Sequence, residues 1–211
     1  MLSEYLTVKG KAIHEIIIDK SRFIAHISRT ETEDEAQQFI ASIKKLHKAA
    51  SHNCSAYLIG ERDQIQKALD DGEPSGTAGV PILEVIRKKG LKDTTVVVTR
   101  YFGGIKLGAG GLIRAYSRAA SEGINSAGIV ERTLTKVLKV QIEYHWLGKL
   151  ENELRASTYP IKDIQYLEQV SILTFVKEDL VEEFSNWITE LTNGQAVIAE
   201  MGTQYLEQVK S

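Results

Sequence analysis

The sequence is poor in the residues that mark several classes of protein. Among 211 residues there are one cysteine, three prolines and two methionines. The single cysteine, Cys54, excludes an intrachain disulfide framework. No run approaches the roughly 18 apolar residues typical of a membrane-spanning helix, and the amino-terminal residues lack the basic and apolar regions of a secretory signal. We therefore expect a cytoplasmic protein with no membrane partner.

The composition allows an ordinary buried core, since 43% of the residues are hydrophobic and 26% are charged. The length allows one large domain or two compact ones. We predict two domains, residues 1–132 and residues 133–211, because the pattern of strands and helices restarts after Arg132. The net charge is +3 before this boundary and −5 after it. Residues 84–118 hold eight basic and two acidic side chains. This basic segment predicts an anionic partner.

Hydrophobic periodicity and turn signals predict mixed α and β structure in the first domain. Thr32 and Glu35 form a capping-box pattern at the start of a helix. The β-branched run Thr94–Thr99 does not alternate, which is typical of a strand covered on both faces. The other predicted elements are a hairpin around residues 19–21, a strand at 54–59, a helix from Pro81 to Gly90 and a helix over 112–127.

The second domain has a simpler predicted order of elements than the first. Its pattern predicts strands, helices and strands in the order βαββαβ between Val137 and Leu206. That order is the split βαβ or ferredoxin-like motif. The predicted fold class is therefore α+β with two domains.

The most informative stretch runs from Gly76 to Tyr116. A strand leads into five glycines and then a helix, and exposed amide groups beside a positive helix end bind anions. The spacing matches neither the dinucleotide nor the Walker fingerprint. Tyr101 and Phe102 are adjacent on a strand end, so one ring should point outward and could stack on a nucleobase.

These features give two sets of candidate site residues. The predicted contacts to nucleic acid or phosphate are Arg100, Tyr101, Phe102, Gly103, Gly104, Lys106, Gly108, Gly110, Gly111, Arg114 and Arg118. The residues predicted to shape a loop or contact a ligand are Asp71, Glu73, Ser75 and Thr77. Close packing of a helix on a sheet is an alternative role for Gly110 and Gly111, and tying backbone amides into turns is an alternative role for Asp71 and Glu73.

His52 and Cys54 do not make a convincing chemical site. The pair lacks the spacing of a zinc site, and no residue is identified that could orient His52 as a base for a thiol nucleophile. We therefore predict no metal, no cofactor and no catalytic residue.

Three segments together resemble the signature of the IMPACT family. They are DDGEPSGTAGVP (70–81), VVVTRYFGGIKLGAGG (96–111) and LIRAY (112–116). The resemblance extends over the whole chain and implies a first domain with the βαβ fold of a small-subunit ribosomal protein, of elongation factor G domain IV and of the GHMP kinases. It also implies a second domain similar to domain V of elongation factor G. Eukaryotic members regulate translation by competing for the activator of the amino-acid-starvation kinase, so the resemblance implies a translation-linked binding role.

We therefore expect a non-enzymatic regulator that binds RNA or a ribosome-associated surface through the basic loop and helix, with a possible protein partner in translation control. One alternative is an ATP-binding enzyme related to the GHMP kinases, although Leu112 and Ile113 stand where that family usually has serines. Another alternative is an interaction module whose acidic second domain binds a basic partner.

Overall fold

The computed structural model of the chain describes residues 1–210 and contains two compact units, each with a β-sheet and helices. One unit contains Tyr5–Glu131 and the residues from Gln208 onward. The other contains Met1–Glu4 and Arg132–Glu207. The predicted α+β class with two domains is confirmed. None of the helices within residues 1–210 is both long and apolar enough to cross a membrane.

The first part of the chain forms six strands and three helices. In chain order they are β1 (Glu4–Val8), β2 (Ala12–Ile18), β3 (Ser21–Arg29), α1 (Glu33–Leu46), β4 (His52–Ile59), β5 (Ile65–Leu69), α2 (Gly79–Lys88), β6 (Thr94–Tyr101) and α3 (Gly108–Ala127). Five of the strands form an antiparallel sheet in the order β2-β3-β6-β4-β5.

Local signals explain how the first elements begin and end. Asp19 and Lys20 have φ angles of 45° and 63°, as a two-residue hairpin turn requires, and they join β2 to β3. Thr32 caps α1 by accepting a hydrogen bond from the amide of Glu35 at 3.2 Å. Both the predicted hairpin and the predicted capped helix are confirmed.

The central strand β6 is covered on both faces, as its lack of alternation predicts. On one face, Val97 packs in a cluster with side chains of α1 and β4. On the other face, Val96 and Val98 pack in the larger cluster that includes α2 and α3. Every residue of β6 except Tyr101 is buried.

Two features of this unit differ from the prediction. Helix α3 begins at Gly108, before the predicted start at Leu112, because three of its first four residues are glycines with poor helix propensity that conceal the first turn. Strands β1 and β5 are not predicted, since both are only five residues long and β5 lacks a clear apolar pattern.

The second part of the chain follows the predicted order βαββαβ. Its elements are β7 (Ile129–Ile142), α4 (Tyr144–Ala156), β8 (Ile161–Tyr166), β9 (Val170–Val176), α5 (Val181–Leu191), which a short 3₁₀ turn precedes, and β10 (Val197–Val209). The sheet has the order β10-β7-β9-β8, and β1 also pairs with β7. Both helices contribute to one apolar core, through residues such as Leu150 and Phe184.

A histidine is buried beneath α1 without a hydrogen bond. His26 on β3 is only 2% exposed, and neither of its ring nitrogens has a hydrogen-bond partner within residues 1–210. The ring of His47 lies 4.9 Å away. Burial, assisted by repulsion from His47, lowers the pKa of His26 from 6.5 to about 4. The ring is therefore neutral at physiological pH.

This burial predicts that the protein loses stability as the pH falls. Between pH 6.5 and 4 the unfolded chain binds a proton at His26 that the folded chain does not bind, so the free energy of unfolding rises with pH in this window. From pH 7 to pH 5 the loss from His26 alone should be about 2 kcal/mol. Urea titrations at both pH values measure it. His26→Leu should reduce the difference between the two pH values, and an unchanged difference would contradict the assignment.

Candidate nucleic-acid interface

The strand registers bring four connecting segments to one end of the first sheet. Ile18 pairs with Ser21, Arg22 with Tyr101 and His52 with Arg100. The end of β5 pairs beside them on β4. The segments that meet here are the turn 19–20, the turn 47–51, the loop 70–78 and the loop 102–107. We call this surface the loop end.

The aspartates of the loop 70–78 are bound inside the protein. Asp70 accepts hydrogen bonds from the amides of Gly76, Ala78 and Gly79 at 2.8–3.1 Å. Partial burial opposes ionisation of Asp70, but these three bonds outweigh it and hold its pKa below the ordinary value. The carboxylate therefore serves to shape the loop.

Asp71, Thr77 and Ser75 complete the loop. Asp71 accepts from the amide of Asn53 at 2.7 Å and from Lys44 Nζ at 2.5 Å. The Thr77 hydroxyl donates to the carbonyl of Pro74 at 2.6 Å. Ser75 is exposed at the tip. Asp71 and Thr77 thus have structural roles, and Ser75 alone of the three is placed to reach a ligand.

Glu73 is the centre of a buried polar cluster. Its Oε1 accepts from Arg100 Nη1 at 2.7 Å and from the Tyr116 hydroxyl at 2.7 Å. His52 Nε2 lies 3.8 Å from Oε2. The side chains of Glu73 and Arg100 are only 4% and 6% exposed. The loop, strand β6 and helix α3 are therefore tied together by one carboxylate.

This cluster corrects the predicted role of Arg100. Its guanidinium lies below the surface, bound to Glu73 and placed over the ring of Phe23 at 5.4 Å. It is not available to a phosphate group at the surface. The sequence indicates a cation at this position, but it does not indicate that Glu73, 27 residues earlier, neutralises it.

The cysteine in the cluster stays protonated. The Cys54 thiol donates to the carbonyl of Asp70 at 2.9 Å and lies 3.3 Å from the Tyr116 hydroxyl. Burial raises the pKa of Cys54 to about 12. Burial, with the neighbouring Cys54 thiol, also raises the pKa of Tyr116. Within residues 1–210, no group of three or more histidine, cysteine, aspartate or glutamate side chains could hold a metal ion.

The glycines of the segment divide into packed and open positions. A Cβ on Gly103 would lie 2.1 Å from the backbone of Lys20, and its amide donates to Ser21 Oγ at 3.1 Å. A Cβ on Gly111 would lie 2.9 Å from the Cβ of Leu107. Gly104 and Gly108 have open space around them. Gly103 and Gly111 therefore have packing roles, whereas Gly104 and Gly108 leave backbone open at the surface.

The start of α3 carries an unusual concentration of positive charge. The residue that precedes the helix, Leu107, supplies no side-chain cap, and the first turn contains no acidic residue. Lys106 is exposed, and the guanidinium of Arg114 folds back to within 3.5 Å of the Cβ position of Gly110. A helix amino terminus is already positive, so cations there are unfavourable unless an anion is bound. By contrast, α1 has a threonine cap and three acidic residues in its first turn.

Two further cations, which are not among the residues predicted from the sequence, lie in the segments that form the loop end. Lys20 is exposed in the β2–β3 turn and Lys48 is exposed in the turn 47–51. We call Lys20, Lys48, Lys106 and Arg114 the loop-end cations. Within residues 1–210, none of the four has a carboxylate within salt-bridge distance. Their proximity comes from strand pairing over long sequence separations, which the local sequence pattern does not show.

Several cationic side chains of the basic segment 84–118 form ion pairs with carboxylates. Arg118, a predicted phosphate contact, is exposed on α3 and donates to Glu122 at 2.7 Å, so it is not among the cations without a carboxylate partner. Besides Arg100 with Glu73, the segment contains the pairs Arg87 with Glu84 and Lys92 with Asp63. The cations that remain for an anionic partner are therefore fewer than the sequence indicates.

The two aromatic side chains point to different surroundings, as their adjacency predicts. The Tyr101 hydroxyl lies 3.0 Å from His47 Nδ1, and Arg22 lies 5.4 Å from its ring. Phe102 is 49% exposed and has the exposed Ile105 nearby in the same loop. Phe102 is the outward-facing ring.

The fold and the loop end define a class of protein: two α+β units, the first of which presents a basic surface with an exposed aromatic ring. Residues 19–124 match the Impact N-terminal domain, and residues 140–195 match a domain of unknown function, DUF1949. The chain belongs to the IMPACT family, as its sequence signature predicts.

Individual relatives extend this result. The chain is 61% identical to IMPACT family member YvyE of Bacillus subtilis, over 99% of this chain and 96% of that protein. It is 34% identical to IMPACT family member YigZ of Escherichia coli, over 84% of this chain and 88% of that protein. Protein IMPACT of Rattus norvegicus is 35% identical over 42% of this chain and 29% of that protein. A solved structure described as a hypothetical protein matches 94% of this chain and 97% of its own, with a TM-score of 0.61 and 30% identity.

The buried ion pair predicts a large stability effect at Glu73. Glu73→Ala leaves the guanidinium of Arg100 buried without its carboxylate and should lower the free energy of unfolding by about 3–5 kcal/mol. Urea titration measures the change. Glu122→Ala removes the exposed partner of Arg118 and is the matched control, with an expected loss below about 1 kcal/mol. Equal losses in the two variants would contradict a central role for the buried pair.

Proposed function

We propose that this chain is a translation-linked regulatory protein that binds RNA or an RNA surface of the ribosome through the loop end. The observation that carries the proposal is a set of four exposed cations without a carboxylate in salt-bridge distance in the segments of the loop end. Two of them, Lys106 and Arg114, lie at the uncapped start of α3, and the exposed ring of Phe102 is in the same surface. Cations attract the phosphate backbone, and aromatic rings stack on bases.

The internal chemistry of the loop end favours binding over catalysis. The acidic residues of the loop 70–78 are engaged in turns and ion pairs, so they do not repel an approaching phosphate. The thiol of Cys54 and the hydroxyl of Tyr116 keep their protons at neutral pH because burial raises their pKa values. The proposed role is therefore that of a binding protein without catalytic residues.

Membership of the IMPACT family supports the translational setting. The chain matches bacterial members along most of their length, and 42% of it matches a eukaryotic protein named IMPACT. Residues 133–211, which include most of the second unit, have a net charge of −5, and this charge would limit contact between that unit and phosphate. We therefore assign RNA binding to the first unit, and a protein partner in translation control fits the acidic second unit.

Salt dependence tests the proposal. If the loop-end cations contact phosphates, the double variant Lys106→Ala/Arg114→Ala should weaken binding to ribosomal RNA. It should also reduce the slope of log K against log salt by about 1.4 for single-stranded RNA. Fluorescence anisotropy with labelled RNA fragments at several salt concentrations gives both quantities.

Two exposed cations elsewhere in the first unit supply the matched control. Lys67 on β5 and Lys88 at the end of α2 are exposed and outside the loop end. The double variant Lys67→Ala/Lys88→Ala removes the same charge and should change the affinity much less. An equal loss in both double variants would mean that net charge alone drives binding. Absence of RNA and ribosome binding by the parent chain at low salt would reject the proposed function.

A further inference from the structure

The exposed ring of Phe102 has a rigid support beneath it. The guanidinium of Arg100 lies 5.5 Å from the centre of the ring, so one face of the ring rests on a buried cation. That cation is fixed in turn by Glu73 at 2.7 Å, and Glu73 is fixed by Tyr116 at 2.7 Å. The support is therefore part of the folded core.

The backbone of Phe102 is also held in place. Its amide donates to Ser51 Oγ at 3.1 Å, and the amide of the next residue, Gly103, donates to Ser21 Oγ at 3.1 Å. Gly103 packs so closely on Lys20 that a larger residue would clash with that backbone. These contacts anchor the start of the loop 102–107 to the turn 47–51 and to the start of β3, so the backbone that carries the ring is fixed.

Phe102 is 49% exposed, and Ile105 in the same loop is 43% exposed. The apolar surface thus lies among the loop-end cations. A double helix presents mainly phosphates to such a surface and keeps its base faces stacked inside. An unpaired base offers a flat apolar face that can cover the ring.

From this arrangement we propose that Phe102 is a stacking platform for an unpaired nucleobase and that the RNA bound at the loop end is single-stranded. The inference rests on the proposed function and specifies its partner. Phe102 touches the base, Lys106 and Arg114 contact the adjacent phosphates, and Arg100 and Glu73 are positioning residues that hold the ring. Tyr101 takes no part in stacking because its hydroxyl and ring are engaged with His47 and Arg22.

The test compares three labelled RNA probes by fluorescence anisotropy at low salt. The probes are a single strand of about 12 nucleotides, within the site sizes of single-strand binders, the same strand with its bases removed, and a duplex of equal length. The parent chain should bind the intact single strand most tightly. Phe102→Leu keeps an apolar side chain but removes the aromatic face, and it should weaken binding to the intact strand by about 10-fold. Its binding to the abasic strand and to the duplex should be unchanged.

Control variants separate stacking from other effects. Phe102→Trp keeps an aromatic face and should bind the intact strand at least as tightly as the parent. Ile113→Ala removes an exposed apolar side chain from α3, where Ile113 is 42% exposed, and should leave all three affinities unchanged. Urea titration of each variant shows whether the fold is retained.

The outcomes distinguish the inference from the proposed function. If Lys106→Ala/Arg114→Ala weakens binding but Phe102→Leu binds the intact strand like the parent, the platform is rejected and the basic surface stands. A preference of the parent for the duplex also rejects the platform. If the parent binds none of the probes and no ribosomal RNA, both proposals fail.

Discussion

The ion pair between Glu73 and Arg100 is the constraint on which the loop end depends. It joins a loop, the central strand of the sheet and, through Tyr116, the helix α3. Removal of either partner would leave the other as a buried, unpaired charge, which is strongly destabilising. Without it, the loop 70–78 would lose its anchor to β6, and the ring of Phe102 would lose the cation on which it rests.

The same pair shapes the electrostatics of the surface above it. The carboxylates of Asp70, Asp71 and Glu73 are used for backbone amides, Lys44 and Arg100, so a loop rich in acidic residues adds little negative potential outside the protein. The acidic residues of this loop then do little to offset Lys106 and Arg114 at the start of α3, and the dipole of the helix has the same sign as these cations. A surface on a chain with a net charge of −2 can therefore attract an anion locally.

Sequence patterns predict elements better than they predict surfaces in this protein. The hairpin at Asp19, the cap at Thr32 and the unbroken burial of β6 follow from local chemistry, so each is predicted correctly. The burial of Arg100 and the pairing of Arg118 are missed, because their partners are set by tertiary contacts. Lys20 and Lys48 are missed for the same reason, since only the strand registers place them beside the loop 102–107.

The glycines show how a motif can combine two requirements in adjacent positions. Gly103 and Gly111 are needed for close packing, and any larger residue at Gly103 would displace the turn that carries Lys20. Gly104 and Gly108 have no such neighbours, and they leave the backbone open on either side of Lys106 at the start of α3. The packed glycines therefore fix the geometry that the open glycines expose. Composition alone does not distinguish these two roles. The distance from a Cβ placed on each glycine to the nearest atoms of the protein does.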